Sequence, residues 1–157
     1  MDAEETKQKL VSKFVLPDTS IRSPRTRRVF MEIDYARFRE ALEYSYNGLA
    51  YKALAAITGF DEGENLAFMY HMSNEEGVVL SIKTFVKKAD PSLMTITDIF
   101  PGADVFEREL VDLLGAKVEG LKPGDRYPLT DDWPAGQYPL RKDWKVENLG
   151  EGGSCQR

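Results

Sequence analysis

The chain has 157 residues, a net charge of -5 at pH 7, one histidine and one cysteine. That length suits a single domain burying about 70% of its unfolded surface without disulfides or metals, and 42% hydrophobic with 30% charged residues describes an ordinary globular protein. The acidic balance argues against nucleic acid as the main partner, a lone Cys155 excludes an intrachain disulfide or a cysteine-based cluster, and His71 alone leaves nothing for a histidine-rich metal site.

Apolar runs stay shorter than the roughly 18 residues of a membrane span, and the acidic start Met1-Asp2-Ala3-Glu4-Glu5 is unlike a signal peptide. The expectation is a protein that neither spans a membrane nor is exported, in a reducing compartment.

Leu10, Val11 and Phe14 fall at helical spacing, which predicts an amphipathic helix over 4–14 closed before Pro17. The basic run Arg22-Ser23-Pro24-Arg25-Thr26-Arg27-Arg28 reads as a solvated lead-in that could touch an acidic neighbour or an anionic surface. Residues 28–34 are strand-like, and Asp34 is placed to cap a helix over 35–46 that Asn47-Gly48 ends through a left-handed residue. Segments 52–59, 66–73 and 78–86, joined by short turns, predict an antiparallel meander with Val78, Leu80, Ile82 and Val86 on its apolar face. Asp90 and Pro91 suggest a helix over 91–99, interrupted by Pro101-Gly102.

A second helix, 104–114, starts on Asp104 and stops at Gly115. At about 100° per residue its buried face carries Phe106, Leu110, Leu113 and Leu114, while Arg108, Glu109 and Asp112 share another arc. From 116 to 147 the signals are turn and loop, and a loop this long in a small domain is a binding strap or a functional element. Its aromatics Tyr127, Trp133, Tyr138 and Trp144 would anchor it. The expected fold is therefore α+β, an antiparallel-rich sheet covered by helices with a loop-rich C-terminal strap. One module over 1–147 is expected, and a flexible tail over 148–157 that carries Cys155.

Two uses of the charged helix remain open from the residues alone. Glu109 and Asp112 could act as acid and base of a small enzyme, yet no nucleophile–base pair, phosphate loop or metal-ligand spacing accompanies them. Alternatively the turn Pro139-Leu140-Arg141-Lys142-Asp143 faces the helix, with Arg141 closing onto Glu109 or Asp112, or both meet another chain.

Glu107-Arg108-Glu109-Leu110-Val111-Asp112-Leu113-Leu114-Gly115, followed by Asp132-Trp133 and by Pro139-Leu140-Arg141-Lys142-Asp143, resembles the signature of the 30 kDa subunit of NADH:quinone oxidoreductase (complex I). The same module occurs in membrane-bound, energy-converting nickel-iron hydrogenases and in formate hydrogenlyase. The resemblance implies a non-catalytic accessory subunit, peripheral on the cytoplasmic side of the cell membrane, with no cofactor of its own. Its partners would be a hydrogenase-like large subunit and an Fe–S small subunit, which carry the Fe–S clusters and, in hydrogenases, the nickel-iron centre. It makes Glu107, Arg108, Glu109, Asp112, Gly115, Trp133, Pro139, Leu140, Arg141, Lys142 and Asp143 the signature and interface residues.

Many respiratory members carry a glycine-histidine-proline stretch after the helix, where this chain has Val118-Glu119-Gly120-Leu121-Lys122-Pro123-Gly124-Asp125. That departure resembles the hydrogenase branch and related sulfur-reducing complexes. An NADH:quinone, ferredoxin- or F420-linked oxidoreductase is the alternative parent complex.

Overall fold

The structure, a computed structural model, describes residues 1–149. Helix α1 (Ala3–Phe14) opens the chain, with the Glu5 amide donating to the Asp2 carboxylate at 2.8 Å. A hairpin of β1 (Ile21–Arg25) and β2 (Arg28–Glu32) follows, then α2 (Tyr35–Asn47) and the meander β3 (Ala53–Asp61), β4 (Asn65–Ser73) and β5 (Val79–Lys87). The chain continues through β6 (Ser92–Met94), α3 (Ala103–Leu114) and β7 (Lys117–Glu119) into the strap.

Five strands form one sheet in the order β1-β2-β5-β4-β3, and β6 pairs with β7 in a separate parallel ribbon. The meander is antiparallel as expected, while β2 runs parallel to β5 because α2 carries the chain back before the meander starts. Register sets Ile21, Met31, Ile82, Tyr70 and Ile57 in one row across all five strands, and every one is buried. Helices cover this face: Phe38 of α2 packs on Tyr70 with ring centroids 4.4 Å apart, and Thr6 of α1 meets the Tyr51 hydroxyl at 3.0 Å. Each large side chain buried here contributes about 1.5–3 kcal/mol, so this face holds the layers together. Gly59 belongs to the same face, and a Cβ there would run into Leu110 and Leu114, so its lack of a side chain lets α3 lie directly on β3. The fold class is α+β, with one sheet face covered and the other open.

Several local expectations are corrected. The basic run is not a bare lead-in; Ile21 anchors it in the core and it forms the β1 edge of the sheet. Gly48 ends α2 in right-handed geometry at φ -88°, and the left-handed residue is Ala50 at φ 59°. Asp34 holds the cap position through its carbonyl, which accepts from the Arg37 amide at 2.9 Å, and its side chain makes no capping bond.

The helix expected over 91–99 does not form. Ser92–Met94 pairs with β7 instead, Asp90 takes the Lys117 ammonium at 3.0 Å, and the Ile96 amide donates to the buried Glu107 carboxylate at 2.7 Å. Leu93, Ile96 and Phe100 mimic helical spacing but are buried from an irregular segment. Of the expected tail, Leu149 closes a 3-10 turn (Val146–Leu149), and residues 150–157 with Cys155 lie outside the described residues. Among the described residues no helix is long and apolar enough to cross a membrane.

Val15 ends α1 at φ 51° and ψ 51° with its side chain 86% exposed. A β-branched residue in left-handed geometry costs about 1–2 kcal/mol with no packing to offset it. Val15→Asn is expected to stabilise the fold by about 1 kcal/mol in urea unfolding, and a loss of stability would contradict this origin of the strain.

Candidate interaction surface of the charged helix and strap

Helix α3 distributes its charges in three directions. Glu107 points inward, 2% exposed, and accepts from the Thr95 hydroxyl at 2.6 Å and the Ile96 amide at 2.7 Å. Burial pushes its carboxyl above the usual range, and those two hydrogen bonds oppose the rise. It therefore belongs to the helix signature as an internal tie and offers no surface to a partner.

Arg108 turns back to Asp104 through two bonds of 3.0 and 2.9 Å and donates to the Lys122 carbonyl at 2.8 Å. Its guanidinium lies against Gly124, where a Cβ would sit 2.6 Å from it. Asp112 faces the strap: Arg126 donates to one oxygen at 3.0 Å and the Leu129 amide to the other at 3.2 Å. Arg126 then continues to the Trp133 carbonyl at 2.7 Å. The expected convergence of Arg108, Glu109 and Asp112 on one patch does not occur, because Asp104 and Arg126 offer bidentate or charge-assisted partners that hold two of the three apart.

The strap is fastened at several points. Gly115, left-handed at φ 70°, ends α3 and receives the Tyr138 ring where a side chain would otherwise stand. Leu140 donates its amide to the Leu113 carbonyl at 3.0 Å, and Arg141 donates Nε to the Leu114 carbonyl at 2.7 Å while lying 4.7 Å over the Tyr138 ring. Arg141 thus closes within the chain, but onto the C-terminal carbonyls of α3 rather than onto Glu109 or Asp112. Those carbonyls lack helical partners and carry the negative end of the helix dipole, which favours a cation.

Trp133 and Trp144 pack at 6.0 Å and both donate to Gln137, at 2.8 and 2.9 Å. Tyr127 is 47% exposed, so of the two anchorages expected for the strap's aromatics, on the domain or on a partner, the partner is the one open to it. Pro139, half-buried, leads into the turn.

A further fastening joins residues far apart in the sequence. Asp61, at the end of β3 and 4% exposed, accepts from Lys88 at 2.6 Å, from the Lys142 amide at 2.9 Å and from the Gly63 amide at 2.7 Å. Lys88 also holds Asp143 at 2.9 Å. Burial works to raise the Asp61 carboxyl, but Lys88 and the two amides override it and hold the value at about 2. Asp61 and Lys142 stand 81 residues apart, and Asp61 reads locally as a turn residue, so no sequence signal marks the pair.

Glu109 and Asp112 do not form an acid–base pair. Asp112 has both oxygens engaged by the strap, whereas Glu109 borders a hollow of about 140 Å³ that Ile57, Gly59, Leu113 and Leu140 also line. Among the described residues no three His, Cys, Asp or Glu side chains converge as a metal-binding group. What remains exposed is a ledge on which Leu140, 52% exposed, stands beside Glu109.

Residues 31–149 match the family described as respiratory-chain NADH dehydrogenase, 30 Kd subunit. The chain belongs to that family. NADH-quinone oxidoreductase subunit 5 of Thermus thermophilus is 30% identical over 123 residues, a match covering 64% of this chain and 59% of that longer protein. A subunit of the F(420)H(2) dehydrogenase of Methanosarcina mazei is 29% identical over 146 residues, 85% of this chain and 89% of that one. Membrane-bound hydrogenase subunit beta of Pyrococcus furiosus is 36% identical over 80 residues, 48% of this chain and 46% of that one. Among solved structures, a chain of the membrane-bound sulfane sulfur reductase, an archaeal respiratory membrane complex, superposes with a TM-score of 0.77 at 25% identity, over 92% of this chain and 86% of its own. The resemblance read from the signature therefore holds at the level of the 30 Kd subunit family.

In this 30 Kd subunit family member the Asp61 fastening predicts a defined acid sensitivity. With a folded-state value of about 2 against an ordinary 3.8, Asp61 adds stability that is fully present above pH ~4 and is lost as pH falls towards 2. Asp61→Asn is expected to cost about 3 kcal/mol at neutral pH and to flatten the stability curve between pH 4 and 2. Identical pH slopes for the two proteins in urea unfolding would contradict the assignment.

Proposed function

We propose that this protein is an accessory subunit in the peripheral arm of a membrane-bound, complex I-related respiratory complex. In that role it supports a hydrogenase-like large subunit and an Fe–S small subunit, and carries neither a cofactor nor a catalytic centre of its own. The observation that carries this reading is the way the family signature is used: Arg108, Asp112, Gly115 and Arg141 clasp the strap onto α3 and leave a ledge, not an enclosed site. A ledge bearing Leu140 and Glu109 suits contact with a neighbouring chain, in which exposed apolar area is withdrawn from water. The large subunit is the partner assigned to it, on the cytoplasmic side of the membrane.

A hydrogenase or sulfur-reducing parent is the first choice, supported by the departure after α3 and by the likeness to the sulfane sulfur reductase chain over 92% of this protein. A second parent has its own support, since the match to the F(420)H(2) dehydrogenase subunit extends over 89% of that protein. In both, the electrons pass through partner subunits.

Purification through a tag on this chain from its native membranes is expected to yield a stoichiometric large subunit and an Fe–S protein, while the isolated chain contains no flavin or metal. A stoichiometric cofactor in the isolated chain would overturn the accessory role. Leu140→Asp is expected to lower recovery of the complex by roughly ten-fold with the melting temperature of the free chain unchanged, since the side chain is 52% exposed.

A further inference from the structure

The face of the five-stranded sheet opposite the helices is uncovered and carries an arrangement that the strap does not use. Register places Phe30, Ser81 and His71 in one row across β2, β5 and β4, with Arg22 of β1 opposite Phe30. Phe30, Val79, Met69 and Phe85 on this face are only half-buried. At its β1–β2 end lie Arg22, Arg25, Arg27 and Arg28, all exposed, and none meets a carboxylate within ion-pair distance among the described residues.

The pairing of β1 with β2 sets Arg25 directly opposite Arg28. Like charges facing each other across an antiparallel pair destabilise it, and the one acid of this hairpin, Glu32, pairs with Lys83 rather than with either arginine. Arg22 lies 5.5 Å over the Phe30 ring, which holds its guanidinium against the sheet. Elsewhere the protein uses lysine more often than arginine, yet every cation in residues 22–28 is arginine, the side chain whose planar fork matches a carboxylate bidentately. Pro24 lacks an N–H, so this edge strand is poorly suited to adding another strand and contact must run through side chains.

We propose that the arginine end of the open sheet face binds an acidic segment of another subunit, with carboxylates seated on Arg22, Arg25 and Arg28 and apolar side chains on Phe30 and Val79. Arginine, phenylalanine and methionine are the residues enriched at protein interfaces. An anionic membrane suits the surface less well: the protein's net charge is -5, and the half-buried Phe30 and Val79 side chains offer little apolar surface to insert. The inference rests on the chain being a subunit of a complex, and it concerns a surface separate from the strap ledge.

The test uses the complex purified through a tag on a partner subunit. Arg25→Lys with Arg28→Lys keeps the charge and introduces amines that a carbodiimide joins to carboxylates in direct contact. Zero-length cross-links from positions 25 and 28 to Asp or Glu of another subunit are expected. Arg25→Glu with Arg28→Glu is expected to reduce retention of this chain roughly ten-fold at ~0.15 M salt, with the melting temperature of the free chain maintained. Wild-type retention of the charge-reversed chain, or cross-links confined to this chain's own carboxylates, overturns the proposal. Binding of the free wild-type chain to phosphatidylglycerol vesicles that is lost in the charge-reversed variant assigns the arginines to lipid and overturns it too. If the wild-type chain is not retained by the tagged partner, the accessory-subunit reading itself falls and takes this one with it; failure of the variants alone leaves that reading standing.

Discussion

One buried carboxylate fixes the turn that ends the C-terminal strap. Asp61 gathers the Lys88 ammonium, the Lys142 amide and the Gly63 amide around two oxygens at the end of β3. Charge-assisted hydrogen bonds of this kind contribute about 1.5–3 kcal/mol each, more than a neutral bond, and they are directional. Lys88 spans from Asp61 to Asp143, so the turn is gripped through both its backbone and a side chain. With the turn fixed there, Arg141 is brought to the end of α3 and Leu140 is set on the outer surface.

Helix α3 works as a beam against which both the core and the strap are set. Its apolar residues Leu110 and Leu114 press on Gly59, its Glu107 ties down residues 95 and 96, and its Arg108 and Asp112 hold the two halves of the strap's first loop. Its last carbonyls accept from Arg141 and from the Leu140 amide. A helix this rich in charge therefore spends most of its charges inside the molecule. Of the charged residues on α3, Glu109 alone takes no part in these ties or in the clasp among the described residues; half-buried at the rim of the hollow beside exposed Leu140, it is the helix charge left for a neighbour.

The elements with strong local patterns were legible in the sequence. Leu10 and Phe14, the alternation through Leu80 and Ile82, and Gly115 after an apolar periodic stretch each follow from chemistry within a few residues. What escaped depends on contacts distant in sequence. The helix expected over 91–99 rests on the start signal of Asp90 and Pro91, yet the Ile96 amide is claimed by Glu107 and β6 by β7. Arg141 closes within the chain onto a backbone carbonyl, an acceptor that a search for opposite charges such as Glu109 and Asp112 does not find. Asp61 looked like one turn residue among several, and only the folded chain brings Lys88 and Lys142 to it. The wheel placed Arg108 and Asp112 correctly on α3 and could not show that Asp104 and Arg126 would draw them apart.

Membership of the 30 Kd subunit family and the clasp geometry together describe a protein whose signature builds a rigid surface. Hydrogen exchange on the isolated chain tests that claim most directly, because it reports whether the strap is ordered before any partner arrives. The amides of Leu129, Leu140 and Lys142, which donate to Asp112, Leu113 and Asp61, should exchange far more slowly than unprotected amides. Exchange of all three at unprotected rates, with slow exchange retained in β4 and β5, would show that the strap takes its shape only on a partner and would contradict the account.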